Sequence, residues 1–132
     1  MVPEKTIAIN KEVDIILARK EGREMAKDMG FGSVEQCRIA TAISELTRNI
    51  IRYAGHGQVV MRAILGRRMG IEITCSDDGP GIQDIEIALQ DGYSTSRGLG
   101  AGLPGTKRLM DDFEIQSEVG CGTTVVVRKW LR

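Results

Sequence analysis

The chain has 132 residues, 42% of them hydrophobic and 27% charged, with 18 basic side chains balanced by 18 acidic ones. This length is typical of one soluble domain, and the zero formal net charge gives no electrostatic footprint for DNA or RNA. No apolar run is long enough for a membrane span, and three widely spaced cysteines fit neither a disulfide framework nor a zinc site, so we expect a single cytoplasmic domain over residues 1–132.

The first half of the chain predicts one short strand and two helices. Residues 5–10 alternate in the manner of a strand, and residues 12–29 predict a helix that ends at two nearby glycines. Ser33, with Gln36 three residues later, forms a capping-box pattern that opens a second helix reaching Gly55. The apolar stripe of this second helix comprises Cys37, Ala40, Ile43, Leu46, Ile50 and Tyr53 or Ala54.

The second half predicts four strands and two short helices. The strands are residues 58–65, 70–76, 113–118 and 123–130, and the helices are residues 82–89 and 103–111. A polar, glycine-dense loop, residues 90–102, precedes the last helix. Strands in this order pair most simply as hairpins, so we predict an α+β two-layer sandwich, with a mixed, mostly antiparallel sheet and helices on one face.

Residues 94–109, STSRGLGAGLPGTKRL, place four glycines at and before that helix. Glycine loses much conformational entropy on folding, so a cluster is expected only where a positive φ or a close backbone approach is required. Unhindered N–H groups at the start of a helix suit an anion, and phosphate fits this pattern best. A merely flexible surface loop is the alternative when the stretch is considered alone.

A dinucleotide-binding motif competes for the same glycines. Residues 100–105 fit G-x-G-x-x-G, and Glu118 ends a predicted strand where such a unit needs an acidic residue. The match is weak because residues 93–97 are polar and too few residues follow Glu118 to complete that fold. A P-loop is excluded since no Gly-Lys-Ser or Gly-Lys-Thr closes the segment.

Glu45 and Asn49 lie four residues apart on the second predicted helix and therefore share a face. Considered alone, that face of the helix is typical of a solvated surface with several ion pairs. Its other polar members are Arg38, Thr41, Arg48 and Arg52.

Four segments change that interpretation: TAISELTRNI, DDGPGI, DGYSTSRGLGAGLPGTKRLMD and a closing GCGT. In this order and spacing they resemble the ATP-binding fold shared by gyrase, Hsp90, histidine kinases and MutL, the GHKL superfamily, over nearly the whole chain. Within that superfamily the sequence, including its terminal KWLR, is most similar to the small serine kinases of the anti-sigma group, and among them to the RsbT-type switch kinases of the stressosome.

The resemblance implies that Asp77, the first residue of the D-x-G-x-G match, lies at the adenine. An ionised carboxylate only accepts hydrogen bonds, so it pairs with the adenine amino group and repels the oxygen of guanine. Thr123 is implied to assist Asp77 directly or through a water. Asp78 carries the same side chain, and only the register of the motif favours Asp77.

The resemblance also assigns the phosphate end of the site. Asn49 is implied to bind Mg²⁺, and Glu45 to act as general base toward an incoming hydroxyl. Arg97, Lys107 and Arg108 are either phosphate contacts or solvated side chains. The implied ATP-binding residues are Asn49, Asp77, Gly79, Gly81, Ser94, Thr95, Ser96, Arg97, Gly98, Leu99, Gly100, Ala101, Gly102, Leu103 and Thr123, with Gly105 as a further cradle residue and 94–97 as a lid.

The implied function is a protein serine/threonine kinase that uses ATP and Mg²⁺. Its implied partners are a STAS-domain antagonist, which it phosphorylates, and a PP2C-type phosphatase, which it activates once released. Tyr53 stands where sigma-binding relatives have histidine, which disfavours an anti-sigma factor that sequesters sigma directly. A histidine kinase is improbable without a phosphoacceptor domain, whereas an ATP-gated binding module without catalysis stays an alternative.

Overall fold

The computed structural model of the chain describes residues 3–81 and 102–132. Its strands are β1 (Glu4–Ile9), β2 (Gly57–Ile64), β3 (Gly70–Asp77), β4 (Asp112–Glu118) and β5 (Gly122–Trp130), and its helices are α1 (Glu12–Met29), α2 (Ser33–Tyr53) and α3 (Gly102–Leu109). The predicted helix 82–89 and residues 90–101 of the predicted loop lie outside the described residues.

The strands form one sheet in the order β1-β2-β3-β5-β4, and each of the four described pairings is antiparallel. Alternate residues point to opposite faces of a strand, and on the face toward the helices Val59, Ile73 and Val127 are fully buried. The predicted α+β architecture with helices on one face is therefore confirmed. No helix among the described residues is long and apolar enough to cross a membrane.

Helix α2 contributes most to the helical side of the core. The predicted stripe is confirmed at Ala40, Ile43, Leu46 and Ile50, which are at most 2% exposed. It is wrong at Cys37, which is exposed, and of the two candidates for its last position Tyr53 is exposed whereas Ala54 is half-buried. Because α2 is covered by α1, the sheet and α3, it buries a wide arc that also includes Ile39, Ala42 and Thr47, and Cys37 lies on the other side of the helix.

The predicted capping box at the start of α2 is wrong. Gly32 is the N-cap, in an extended conformation with φ −70° and ψ 167°, and no side chain caps the helix. Ser33 is already helical and cannot serve as the cap. Gln36 instead donates from Nε2 to the carbonyl of Phe31 at 2.7 Å, so its side chain fixes the chain that enters the helix.

Lys129 is a charged side chain within the core and is only 4% exposed. It occupies an inward-facing position of β5, and its Nζ donates to the carbonyl of Leu109, the last residue of α3, at 2.7 Å. The same Nζ lies 3.0 Å from Glu35 Oε2 in the first turn of α2. One ammonium group thereby joins β5, α2 and the end of α3.

Glu72 is at the centre of an ion-pair ladder across the open face of the sheet. Its carboxylate lies 2.9 Å from both Arg62 on β2 and Arg128 on β5, and Arg128 also contacts Glu114 at 2.7 Å. Burial alone raises the pKa of Glu72, but the hydrogen bonds and charges of the two arginines outweigh it and hold the pKa below its ordinary value of 4.5.

We expect the free energy of unfolding to fall when the pH drops below about 4.5. A carboxylate whose pKa is lower in the folded state stabilises the fold above its unfolded pKa, and the contribution is lost as the pH falls through the folded pKa. Urea unfolding between pH 6 and 3 should show this loss. Glu72→Gln should flatten part of the pH dependence, and an unchanged slope would show that Glu72 is not a source of it.

Candidate active site

Glu45 lies in the middle of α2 with its side chain only 14% exposed. Its Oε1 accepts a hydrogen bond from Arg48 Nη1 at 3.0 Å. Its Oε2 is buried and has no hydrogen-bond partner among the described residues. Burying a carboxylate oxygen without a partner is costly, so this atom is the one a bound ligand would satisfy.

Asn49 follows one turn later on the same face of α2 and is half-buried. Within residues 3–81 and 102–132, no group of three or more His, Cys, Asp or Glu side chains could hold a metal ion. Mg²⁺ needs no such cage, since it keeps several waters and takes other ligands from phosphates. The amide oxygen of Asn49, one helical turn from Glu45 on the same face of α2, is a ligand type that fits a nucleotide-bound Mg²⁺.

Asp77 is the last residue of β3, and its neighbours in the sheet are Gly57 on β2 and Thr123 on β5. Its Oδ1 accepts a hydrogen bond from the Gly79 backbone N–H at 2.8 Å, which forms the tight turn after the strand. A Cβ on Gly79 would lie 2.6 Å from the Cβ of Ala54, so this turn packs directly on the end of α2.

The structure separates the two aspartates that the sequence leaves equivalent. Asp77 is half-buried in the sheet register, whereas Asp78 is exposed beyond it.

Burial, followed by the charge of Asp77, raises the pKa of the Cys75 thiol to about 12. Cys75 is therefore neutral at pH 7 and not a nucleophile.

The turn between β4 and β5 holds the Asp77 loop in place through glycine backbones. Gly120 N–H donates to the Pro80 carbonyl at 2.9 Å. Gly81, with φ +78°, packs so closely that a Cβ would lie 2.2 Å from the Glu118 carbonyl oxygen. Gly122, with φ +105°, would place a Cβ 2.0 Å from the Asp77 carbonyl oxygen. Only glycine combines this φ with this approach.

Gly122→Ala should destabilise the fold by about 3 kcal/mol and weaken nucleotide binding, because the new Cβ must displace the backbone of Asp77. Gly120→Ala is the matched control. Gly120 has φ +84° in the same turn, but a Cβ there meets nothing within 4 Å, so we expect a loss of only about 1 kcal/mol. Urea unfolding measures both, and equal losses would contradict the close approach.

Ser117 is a site residue that the sequence reasoning missed. Its Oγ lies 2.8 Å from Thr123 Oγ1, and the two residues are partners in the β4–β5 ladder. Pairing the two predicted closing strands around VGCG would place Ser117 opposite Thr124, and only the actual register, in which Glu118 pairs with Gly122, brings Ser117 to Thr123. The structure thus gives Thr123 a neighbour on each side, Ser117 and Asp77.

Helix α3 begins at Gly102 and packs against α2. The side chain of Leu103 is 8% exposed and belongs to the core, so only its backbone could face a nucleotide. Lys107 and Arg108, predicted as either phosphate contacts or solvated side chains, lie in the last turn of α3 and are exposed. The predicted residues Ser94, Thr95, Ser96, Arg97, Gly98, Leu99, Gly100 and Ala101 lie outside the described residues.

Together, the described residues form two ends of one candidate site along α2. Asp77 lies at the end of β3 with Thr123 as its neighbour on β5, and the Gly79 turn that follows Asp77 packs on Ala54 at the end of the helix. Glu45 lies about 13 Å from Ala54 along the axis of α2, at a rise of 1.5 Å per residue. One end thus carries a half-buried carboxylate and a hydroxyl, and the other a buried carboxylate and an amide.

Comparison with known proteins shows which proteins this chain is similar to. Residues 35–132 match the family described as histidine kinase-, DNA gyrase B-, and HSP90-like ATPase. The chain is 52% identical, over all of both chains, to the serine/threonine-protein kinase RsbT of Bacillus subtilis. It is 35% identical to the anti-sigma F factor of Caldanaerobacter subterraneus subsp. tengcongensis, covering 70% of this chain and 68% of the other.

A solved structure shows the same fold. The structure of the RsbU and RsbW domains of Rv1364c from Mycobacterium tuberculosis superposes with a TM-score of 0.69, covering 98% of this chain and 33% of that one. The sequence identity is 20%, so this similarity concerns the fold alone.

Proposed function

Since the chain belongs to the histidine kinase-, DNA gyrase B-, and HSP90-like ATPase family, we propose that it is a switch kinase that phosphorylates a serine or threonine of a STAS-domain antagonist. The full-length similarity to RsbT confirms the predicted class of enzyme, protein serine/threonine kinase. The observation that carries the proposal is the buried Oε2 of Glu45, which finds no hydrogen-bond partner in the described part of the chain. A pure nucleotide-binding module has no need of a base there.

In the proposed reaction, the acceptor hydroxyl of the partner lies at Glu45 Oε2. The hydroxyl oxygen forms a bond to the γ-phosphorus of ATP as the bond from that phosphorus to the β–γ bridging oxygen breaks. The hydroxyl proton moves to Glu45 Oε2, and ADP leaves with the bridging oxygen. The Arg48 guanidinium donates to the other carboxylate oxygen, Oε1, and leaves Oε2 to take up the proton.

Asn49 would hold the Mg²⁺ that accompanies ATP, through its amide oxygen. When bound, that ion supplies positive charge that neutralises the phosphate oxygens. Helix α3 presents the backbone N–H groups of its first turn, a second source of positive potential for the triphosphate. Its opposite end is fixed by Lys129.

The proposed adenine contact is the Asp77 carboxylate, with Thr123 beside it in the sheet. The Gly79 N–H occupies Oδ1, which holds the carboxylate in one orientation. A carboxylate can accept from the amino group of adenine but repels the oxygen of guanine, so the site favours ATP over GTP.

The proposed partners follow from the class of kinase. A phosphate on the antagonist adds about −1.5 to −2 charges at the interface, which would release the kinase to bind and activate a PP2C-type phosphatase. Relatives that carry the name anti-sigma F factor are similar to this chain over about two thirds of its length, which supports a role in a partner switch in the cytoplasm.

A phosphotransfer assay tests the proposal. The protein is incubated with Mg²⁺, γ-labelled ATP and a STAS-domain protein from the same cell, and the modified residue is mapped by mass spectrometry. We expect label on one serine or threonine of the STAS-domain protein, and none when Asp77→Asn replaces the wild type at low ATP. Tight ATP binding without transfer to any STAS-domain protein would overturn the proposal in favour of an ATP-gated binding module.

A further inference from the structure

A groove of about 460 Å³ lies at the end of α3 that is farther from the proposed nucleotide site. It is lined by the α1–α2 connection, the first turns of α2, the end of α3 and the end of β5, and none of the described residues assigned to ATP lines it. Its volume is within the range of ligand sites, about 300–1,000 Å³. The groove is therefore a second candidate site, separate from the proposed chemistry.

Five charged side chains of alternating sign form a continuous row in the lining of this groove. Arg38 Nη1 lies 2.7 Å from Glu35 Oε1, and Glu35 Oε2 lies 3.0 Å from Lys129 Nζ. The same Nζ lies 3.9 Å from Asp111 Oδ1, which accepts a hydrogen bond from Arg132 Nη2 at 3.2 Å. The row begins and ends with an arginine, so its three cations exceed its two carboxylates by one.

The positive charge that faces solvent lies at the two ends of this row. Lys129 in the middle is only 4% exposed, whereas the side chains of Arg38 and Arg132 are 50% and 68% exposed. A guanidinium has five N–H donors, and the described hydrogen bond of each arginine uses one nitrogen. Arg108 adds a further exposed cation to the lining. The groove therefore suits a ligand that brings carboxylates to both arginines.

The floor of the groove is apolar. Phe31 and Met110 line it and are 4% and 6% exposed, and Leu131, which also lines it, is half-buried. The two carboxylates of the row and the zero formal net charge of the chain disfavour a nucleic acid. Exposed cations above an apolar floor match a peptide in which acidic and apolar side chains are neighbours.

We propose that this groove is a docking site for an acidic segment of a protein partner. Carboxylates of the segment bind the guanidinium groups of Arg38 and Arg132, and an apolar side chain of the segment covers Phe31 and Met110. Because the groove and the proposed nucleotide site share no described residue, the partner is able to dock whether or not nucleotide is bound.

Peptide display tests the proposal without a known partner. A random peptide library on phage is selected against the wild-type protein without nucleotide, and the dissociation constants of the enriched peptides are measured by calorimetry. We expect sequences with acidic residues next to apolar ones, whose binding weakens with added salt. Arg38→Ala and Arg132→Ala should each weaken this binding about tenfold. Arg23→Ala is the matched control, since Arg23 is an exposed arginine of α1 outside the groove, and it should have no effect.

Three results would overturn the proposal. The first is a library that yields no acidic peptides, or acidic peptides that bind both groove variants as tightly as the wild type. The second is complete displacement of the peptides by an equal concentration of inorganic phosphate, which would assign the groove to a single anion. The third is a wild-type dimer in sedimentation that Arg132→Ala dissociates, which would assign the groove to a second copy of the chain.

The same variants separate this proposal from the proposed function. Neither Arg38 nor Arg132 is among the residues assigned to ATP or to phosphotransfer, so both variants should bind ATP as the wild type does. A wild-type protein that binds the acidic peptides but no ATP would contradict the proposed function and leave the docking site intact.

Discussion

Glu45→Gln should lower phosphotransfer to the protein partner by a hundredfold or more while the dissociation constant for ATP changes by no more than a few fold. General-base catalysis typically contributes about 10²–10⁴ in rate, and an amide cannot take up the hydroxyl proton. The amide also keeps the volume and one acceptor oxygen of the carboxylate, so the packing of α2 is retained. Single-turnover transfer at saturating ATP is the appropriate measurement.

Arg48→Met is the matched control for that variant. Glu45 and Arg48 form an ion pair at 3.0 Å, so a purely structural role of Glu45 would make the two variants equally defective. We expect Arg48→Met to transfer phosphate within a few fold of the wild type, because its removal leaves the Glu45 carboxylate in place. Equal loss in both variants would assign Glu45 to the ion pair and leave the reaction without this base.

Lys129→Met should lower the free energy of unfolding by about 3 kcal/mol or more. Removal of one partner from a buried ion pair typically costs about 3–5 kcal/mol, because the other group is left without compensation. Here the methionine keeps most of the packing, but the Leu109 carbonyl loses its donor and Glu35 Oε2 loses its nearest cation. Chemical unfolding at pH 7 measures the loss.

Arg62→Met tests whether the loss of unfolding free energy in Lys129→Met comes from the burial of the Lys129 charge and not from removing a charge alone. Arg62 pairs with Glu72 at 2.9 Å, but its side chain is 46% exposed. Exposed pairs contribute about 0–1 kcal/mol, so this variant should be nearly as stable as the wild type. If Lys129→Met were equally mild, Lys129 would be a surface cation with no part in joining α3 to α2 and β5.

The Lys129→Met substitution should also affect the proposed nucleotide site. The ammonium group holds the last residue of α3, whose first turn is proposed to face the triphosphate. In conditions where Lys129→Met remains folded, we therefore expect its ATP affinity to fall as well, while that of Arg62→Met stays unchanged. Both values come from the same titrations used for Glu45→Gln.

Local signals account for the parts of the fold that were predictable. Helix α1 has the predicted bounds because its apolar spacing ends at Gly30, which adopts the left-handed conformation with φ +101° that closes many helices. Helix α2 begins at Ser33 as predicted, but its cap was mispredicted for an equally local reason. Ser33 offers a capping side chain in the sequence, but the backbone of Gly32 already provides the extended N-cap.

Tertiary contacts account for what the sequence did not reveal. In the sequence, Lys129 looks like an ordinary lysine of a strand. Its burial depends on tertiary contacts that bring β5 to Glu35 and to the Leu109 carbonyl. Asp77 and Asp78 are chemically identical, and only the pairing of β3 with β5 distinguishes them. Ser117 carries no motif of its own, so its place beside Thr123 depends on the register of the hairpin.

A crystal structure with Mg²⁺ and a non-hydrolysable ATP analogue tests the central claim most directly. We predict the base against Asp77 and Thr123, the ion bound by Asn49 Oδ1 at about 2.1 Å, and the terminal phosphate facing Glu45 Oε2. A nucleotide found away from α2, or a terminal phosphate on the far side of the molecule from Glu45, would contradict the account.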